Sequence, residues 1–163
     1  MRRHRGRSLR ALVPRLLALF SGLLAPLACS ATIRYTISLE HPEEHVFSVE
    51  MEIPRVAGGV TVQLPAWNAL YQIRDFSSHF RQLTASAGKD AEPVEKLDKQ
   101  TWRITGNGTV KIHYEAYWDE AGPFATQLNA EHAFINLAMI LLYAPERRGE
   151  EVSAGIGAIP PGW

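Results

Sequence analysis

From Thr32 onward the apolar positions recur every second residue. Ile33, Tyr35, Ile37 and Leu39 alternate with Thr32, Arg34, Thr36 and Ser38, the pattern of a strand that buries one face. Phe47, Val49, Met51 and Ile53 repeat it against Ser48, Glu50 and Glu52. Val60, Val62 and Leu64 make a third run, entered through Gly58-Gly59 and closed by Pro65, which has no N–H to offer a ladder. Thr101 to Ile104 and Val110 to Ala116 flank Thr105-Gly106-Asn107-Gly108-Thr109. Asn-Gly accepts the positive φ of a tight turn, so these two runs are predicted to form a hairpin. Leu137 to Tyr143 is nearly all apolar and of the right length for a fully buried strand. Val152, Ala154 and Ile156 begin one more.

Helical periodicity is sparse. Ile73, Phe76, Phe80 and Leu83 stand three, four and three residues apart, which predicts one short helix within Tyr71 to Leu83. Strand runs separated by turns, without the alternation of strands and long helices that a parallel sheet needs, predict a mainly β fold. The expectation is an antiparallel sandwich or saddle-shaped sheet with at most one or two short helices. No repeat or low-complexity linker interrupts residues 32–163, so they are read as one domain.

The first 31 residues are different. Arg2, Arg3, Arg5, Arg7, Arg10 and Arg15 precede an apolar run from Leu16 to Ala28, and small residues close it at Ala28-Cys29-Ser30-Ala31. Basic, apolar and small-residue zones in that order are those of an export signal, and the apolar run is too short to span a bilayer as a helix. Residues 1–31 are therefore read as a cleaved signal peptide, with the product periplasmic or secreted. Cys29 is a candidate lipidation site, but Pro26 stands where lipoprotein signals prefer Leu, so ordinary export is the expectation. Membrane association is expected only through that signal or a lipid anchor. In such a setting Asn107-Gly108-Thr109 is read as a turn rather than as a glycosylation sequon.

Setting the leader aside also changes the charge. The whole chain has 17 basic and 17 acidic residues, but six of the Arg and none of the acids lie in the leader, so the body carries 11 − 17 = −6. An acidic body argues against nucleic acid as a partner. Cys29 is the one cysteine, which excludes an internal disulfide framework and a cysteine-based zinc module.

Candidate chemistry is thin. His41-Pro42-Glu43-Glu44-His45 spaces two His as a zinc peptidase does, but Pro42 follows the first His and Glu43 sits one position late for the base. Between two strand patterns it reads as a solvated turn. His113 lies between Ile112 and Tyr114 in a strand and reads as a surface position. No G-x-S-x-G elbow and no phosphate-binding Gly loop is present, so no enzyme activity is expected from this chain by itself and no catalytic or metal residue is assigned. The most distinctive stretch is Leu64 to Phe76, with Trp67, Tyr71, Arg74, Asp75 and Phe76. Two readings are open for it. The aromatics plug the edge of the sheet while Arg74 and Asp75 satisfy loop backbone, or the loop contacts a partner domain or ligand, since aromatics and Arg are enriched in contact surfaces.

Taken together, these stretches resemble the N-terminal β-domain of the glycyl aminopeptidase family of zinc metallopeptidases, proteases with a C-terminal PDZ domain. Tyr35 to Leu39 and His45 to Val49 are similar to the family's opening strands. Leu64, Pro65, Trp67, Tyr71, Ile73, Arg74, Asp75 and Phe76 match its L-P-x-W-x-P-G-x-Y-x-I-R-D-F, with Asn68-Ala69 in place of Pro-Gly. Lys96 to Trp102, Val110 to Ala116, Ala133 to Asn136 and the exit Pro160-Pro161-Gly162-Trp163 continue the likeness. The family's H-E-x-x-H peptidase domain follows that exit and is missing from the sequence. The resemblance thus implies a non-catalytic domain, truncated or stand-alone, with no cofactor of its own, although full-length members hold zinc. Its implied role is to pack against the peptidase domain and shape the substrate cleft, so that domain or a peptide substrate is the partner. The alternative is an independent periplasmic β-sandwich module that binds peptide or carbohydrate.

Overall fold

The computed structural model describes residues 32–67 and 73–163; the leader, Cys29 and Tyr71 lie outside them. The chain forms β1 (Ile33–Ser38), β2 (Val46–Val56), β3 (Val60–Gln63), β4 (Phe80–Ala87), β5 (Asp90–Glu92) and β6 (Val94–Lys96). Then come β7 (Thr101–Ile104), β8 (Gly108–Tyr117), β9 (Gln127–Leu128), β10 (Ala133–Phe134), a four-residue helix α1 (Leu137–Ile140) and β11 (Val152–Ile156). Single 3-10 turns occupy Pro42–Glu44, Phe76–His79 and Pro145–Arg147. A six-stranded sheet has the order β11-β1-β2-β8-β4-β5, a three-stranded sheet the order β3-β7-β6, and β9 and β10 pair apart from both. The pairings are antiparallel except that of β1 with β11. The fold is mainly β, as the alternation predicts.

The buried side chains of both larger sheets belong to one core. Ile33, Tyr35 and Ile37 of β1, Phe47 to Ile53 at alternate positions of β2, and Val110, Ile112 and Tyr114 of β8 meet Val60, Val62, Trp102 and Ile104 of the smaller sheet. Each such aliphatic or aromatic side chain removed from water contributes about 1.5–3 kcal/mol. The opposite face of the six-stranded sheet is polar and cross-linked by charge. Arg34 meets Glu52 at 2.7 Å, Lys111 meets Glu50 at 2.9 Å, and Arg81 meets Glu115 at 2.7 Å. The Glu50 carboxylate, with Glu52 behind it, raises the Lys111 pKa. Such solvent-facing pairs contribute roughly 0–1 kcal/mol each, and mainly keep that face wet.

Three sequence expectations are corrected. Asn107-Gly108 does not close a hairpin: β7 pairs with β3 and β6, whereas β8 pairs with β2 and β4. Only Gly108 of the pair has positive φ, and the Asn107 side chain instead accepts the Gly58 N–H at 2.8 Å, so the segment crosses between sheets. The predicted helix within Tyr71 to Leu83 is a single 3-10 turn followed by β4, because Phe80 and the residues beyond it pair with the open edge of β8. Leu137 to Tyr143 is not a strand but α1 and an extended tail. Asn136 caps α1 by accepting the Ala138 N–H at 3.2 Å. Tyr143 makes a single antiparallel bridge with Gln63 of β3, and two buried phenols bond the backbone before it. Tyr114 donates to the Ile140 carbonyl at 3.0 Å and accepts the Leu142 N–H at 3.2 Å, while Tyr35 donates to the Leu142 carbonyl at 2.7 Å. Burial pushes the Tyr35 pKa up to about 12 and raises that of Tyr114 further.

Candidate interaction surface

β3 stops before Pro65, and beyond it the Arg74 N–H donates to the Ala66 carbonyl at 2.8 Å. Trp67 is about half exposed at 53% and Ile73 almost fully exposed at 91%. Arg74 reaches Glu120 at 3.7 Å, which ties this loop to the segment after β8. Asp75 opens the 3-10 turn. Its carboxylate accepts the Ser77 hydroxyl at 2.6 Å and Lys99 Nζ at 3.3 Å, and these two bonds, Ser77 first, lower its pKa.

Beneath the loop lies an aromatic cluster. Phe76 is buried and meets Trp118 edge-on at 5.9 Å, and the His79 ring stacks on Trp118 at 3.6 Å with an interplanar angle of 11°. His79 Nδ1–H donates to the Tyr117 carbonyl at 2.9 Å, which holds the imidazole flat against the indole. Trp118 is itself buried, and its Nε1 has no hydrogen-bond partner among the described residues. The Trp118 N–H donates to the His45 carbonyl at 2.8 Å, and His45 Nδ1–H donates to the Leu128 carbonyl at 2.6 Å.

The structure therefore divides the four candidate residues that it describes, Tyr71 lying outside them. Trp67 is at the surface, Arg74 and Asp75 make polar contacts that tie the loop down, and Phe76 is buried in the core against Trp118. Sequence reasoning missed Trp118, His79 and the two exposed aromatics of the following segment, Phe124 and Phe134. Trp118 carried a signal, being the next alternate position after Tyr114 and Ala116 on β8. The His41 to His45 stretch is a 3-10 turn with His45 in the left-handed region at φ 59°, and its two imidazoles have different partners. Among the described residues no group of three or more His, Cys, Asp or Glu is placed to hold a metal ion. A cleft at the other end of the sheet carries Arg55, Arg103 and Arg147, but Arg147 is engaged by Glu150 and the Pro54 carbonyl.

Comparison with known proteins agrees with this architecture. Residues 34–163 match the model of the peptidase M61 N-terminal domain. The fold is similar to the crystal structure of an aminopeptidase N family protein from Idiomarina loihiensis, with a TM-score of 0.75 and 26% identity over 80% of this chain. The chain spans 22% of the length of that protein. No curated protein matches the chain. The family model extends over nearly all of the residues described, and the chain belongs to the M61 peptidase N-terminal domain family.

Proposed function

We propose that this chain serves as the non-catalytic N-terminal β-domain of an exported glycyl-aminopeptidase-like metallopeptidase, where it packs against the peptidase domain and shapes its substrate cleft. The observation that carries the reading is the family match over residues 34–163. It is consistent with the described residues, among which no group of three or more His, Cys, Asp or Glu is placed to hold a metal ion. In this reading the zinc and its ligands belong to the peptidase domain, and residues 1–31 direct export. The experiment adds purified chain to a separately expressed peptidase domain of the family and follows zinc-dependent release of amino-terminal glycine. The chain alone should hydrolyse nothing, and its addition should raise kcat/KM of the peptidase domain. Stoichiometric zinc or chelator-sensitive hydrolysis in the chain alone would refute the proposal.

A further inference from the structure

Strand register fixes which loops share an end of the molecule. Val46 at the start of β2 lies opposite Tyr117 at the end of β8, and Phe80 at the start of β4 lies opposite Ala116. Ile37 near the end of β1 lies beside Ile156 at the end of β11. The loop of Trp67 and Ile73 is tied to the same end by the Arg74–Glu120 pair and the Phe76–Trp118 contact. The chain after β11 stays there too, since the Leu39 N–H donates to the Ala158 carbonyl at 2.8 Å, five residues before Trp163.

This end collects exposed apolar side chains from three separate segments. Trp67 and Ile73 come from the first loop, Phe124 and Phe134 from the segment after β8, and Ile159 and Trp163 from the exit, at 44% exposure for Trp163 to 91% for Ile73. Scattered exposed apolar residues are ordinary, but a cluster at one end marks an interaction site. The surface is broad, and its concavity beside Glu120, Gln127, His132 and Phe134 is open to solvent, which suits a folded domain better than a small molecule.

Resting on the reading above, we infer that this apolar end, built jointly by the side chains of Trp67 and Ile73, of Phe124 and Phe134, and of Ile159 and Trp163, is the docking face for the peptidase domain. Two observations select that occupant. This chain spans only 22% of the similar Idiomarina protein, so most of such a polypeptide lies outside the part that matches. Ile159 and Trp163 belong to the surface, so in a longer member of the family the polypeptide that continues past the exit starts on this face. A tethered domain meets it at high effective concentration, and a modest apolar patch is then enough.

The test titrates the full chain with a separately expressed peptidase domain of the family by calorimetry. The double variant Ile73→Ser, Phe134→Ser should bind at least tenfold more weakly than the parent, and Ile159→Ser, on a different segment, should weaken binding in the same direction. Val152→Ser, at the opposite end of β11, should bind as the parent does. All these positions are exposed, and unchanged thermal melts verify the fold. Parent-like binding by the double variant, or an equal loss in Val152→Ser, would place the interface elsewhere while leaving the function proposed above intact. Sedimentation of the parent as a dimer that the double variant converts to monomer would assign the face to a second copy instead. No binding by the parent would reject the proposed function and this surface together.

Discussion

The two ends of the six-stranded sheet are finished in different ways. At the end where β2 leads into β3, the backbone is closed by polar ties. Asn107 accepts the Gly58 N–H, Arg147 donates to the Pro54 carbonyl at 2.6 Å, and the same guanidinium grips Glu150 and lowers its pKa. Among the exposed large apolar side chains described, Val152 is the one that lies there, beside Ile33 at the start of β1. The other end has polar ties as well, among them Arg74–Glu120 and Asp75–Lys99, but differs in its apolar side chains. Aromatic packing around Trp118 holds the loops from within, and large apolar side chains face out. Both ends satisfy polar groups; what separates them is that one hides its large apolar side chains and the other leaves several at the surface.

This contrast can be tested by mutation. The largest effect should come from Trp118→Ala, which empties the centre of the aromatic cluster and should lower the unfolding free energy by about 3–5 kcal/mol in a denaturant titration. A loss below about 1 kcal/mol would show that the loops are held by something other than Trp118. Gly59→Ala probes the polar end. A Cβ there would lie 2.7 Å from the Ile104 carbonyl with φ at +147°, so β3 must shift and stability should fall by about 1–3 kcal/mol.

Tyr114→Phe is expected to cost about 1–3 kcal/mol, because it leaves the buried Ile140 carbonyl and Leu142 N–H without their shared hydroxyl. The same clamp gives an alkaline prediction. Tyr35 is raised in the fold from its ordinary 10.0 to about 12, so its contribution is complete below pH 10 and lost as pH rises through 12. Chemical denaturation at successive pH values should find stability falling across that window, and less steeply in Tyr35→Phe. The smallest effect on stability belongs to Ile73→Ser, within about 0.5 kcal/mol, since that side chain is almost wholly in solvent. A large loss of stability there would mean that Ile73 is structural, in conflict with the docking role proposed for it.

Much of this architecture is legible in the chain. The alternation of Ile33, Tyr35 and Ile37 and of Phe47 to Ile53 marks strands with one wet face, and β1 and β2 follow it. Where the reading fails, a tertiary partner overrides a local preference. Ile73, Phe76, Phe80 and Leu83 have helical spacing, but Phe76 is drawn to Trp118 and Phe80 to the edge of β8, so the chain straightens after one turn. Leu137 to Tyr143 has strand composition, but the phenols of Tyr35 and Tyr114 bond its backbone from the side, and only its last residue, Tyr143, bridges to Gln63 of β3. Among the candidate residues, Trp67 and Phe76 are equally apolar and equally motif-bound. Nothing local says that one faces out and the other in.

The sequence alone determined that a period of two would build sheets with one oily face, that Pro65 would end β3, and that no familiar catalytic set stands between Thr32 and Trp163. These follow from residue type and spacing, which act over a few residues. Only the tertiary structure decided that β7 and β8 would enter different sheets, and that three loops far apart in sequence would bring their apolar side chains to the same end. Those outcomes depend on strand order and register, which are set by the packing of the whole core rather than by any segment of it.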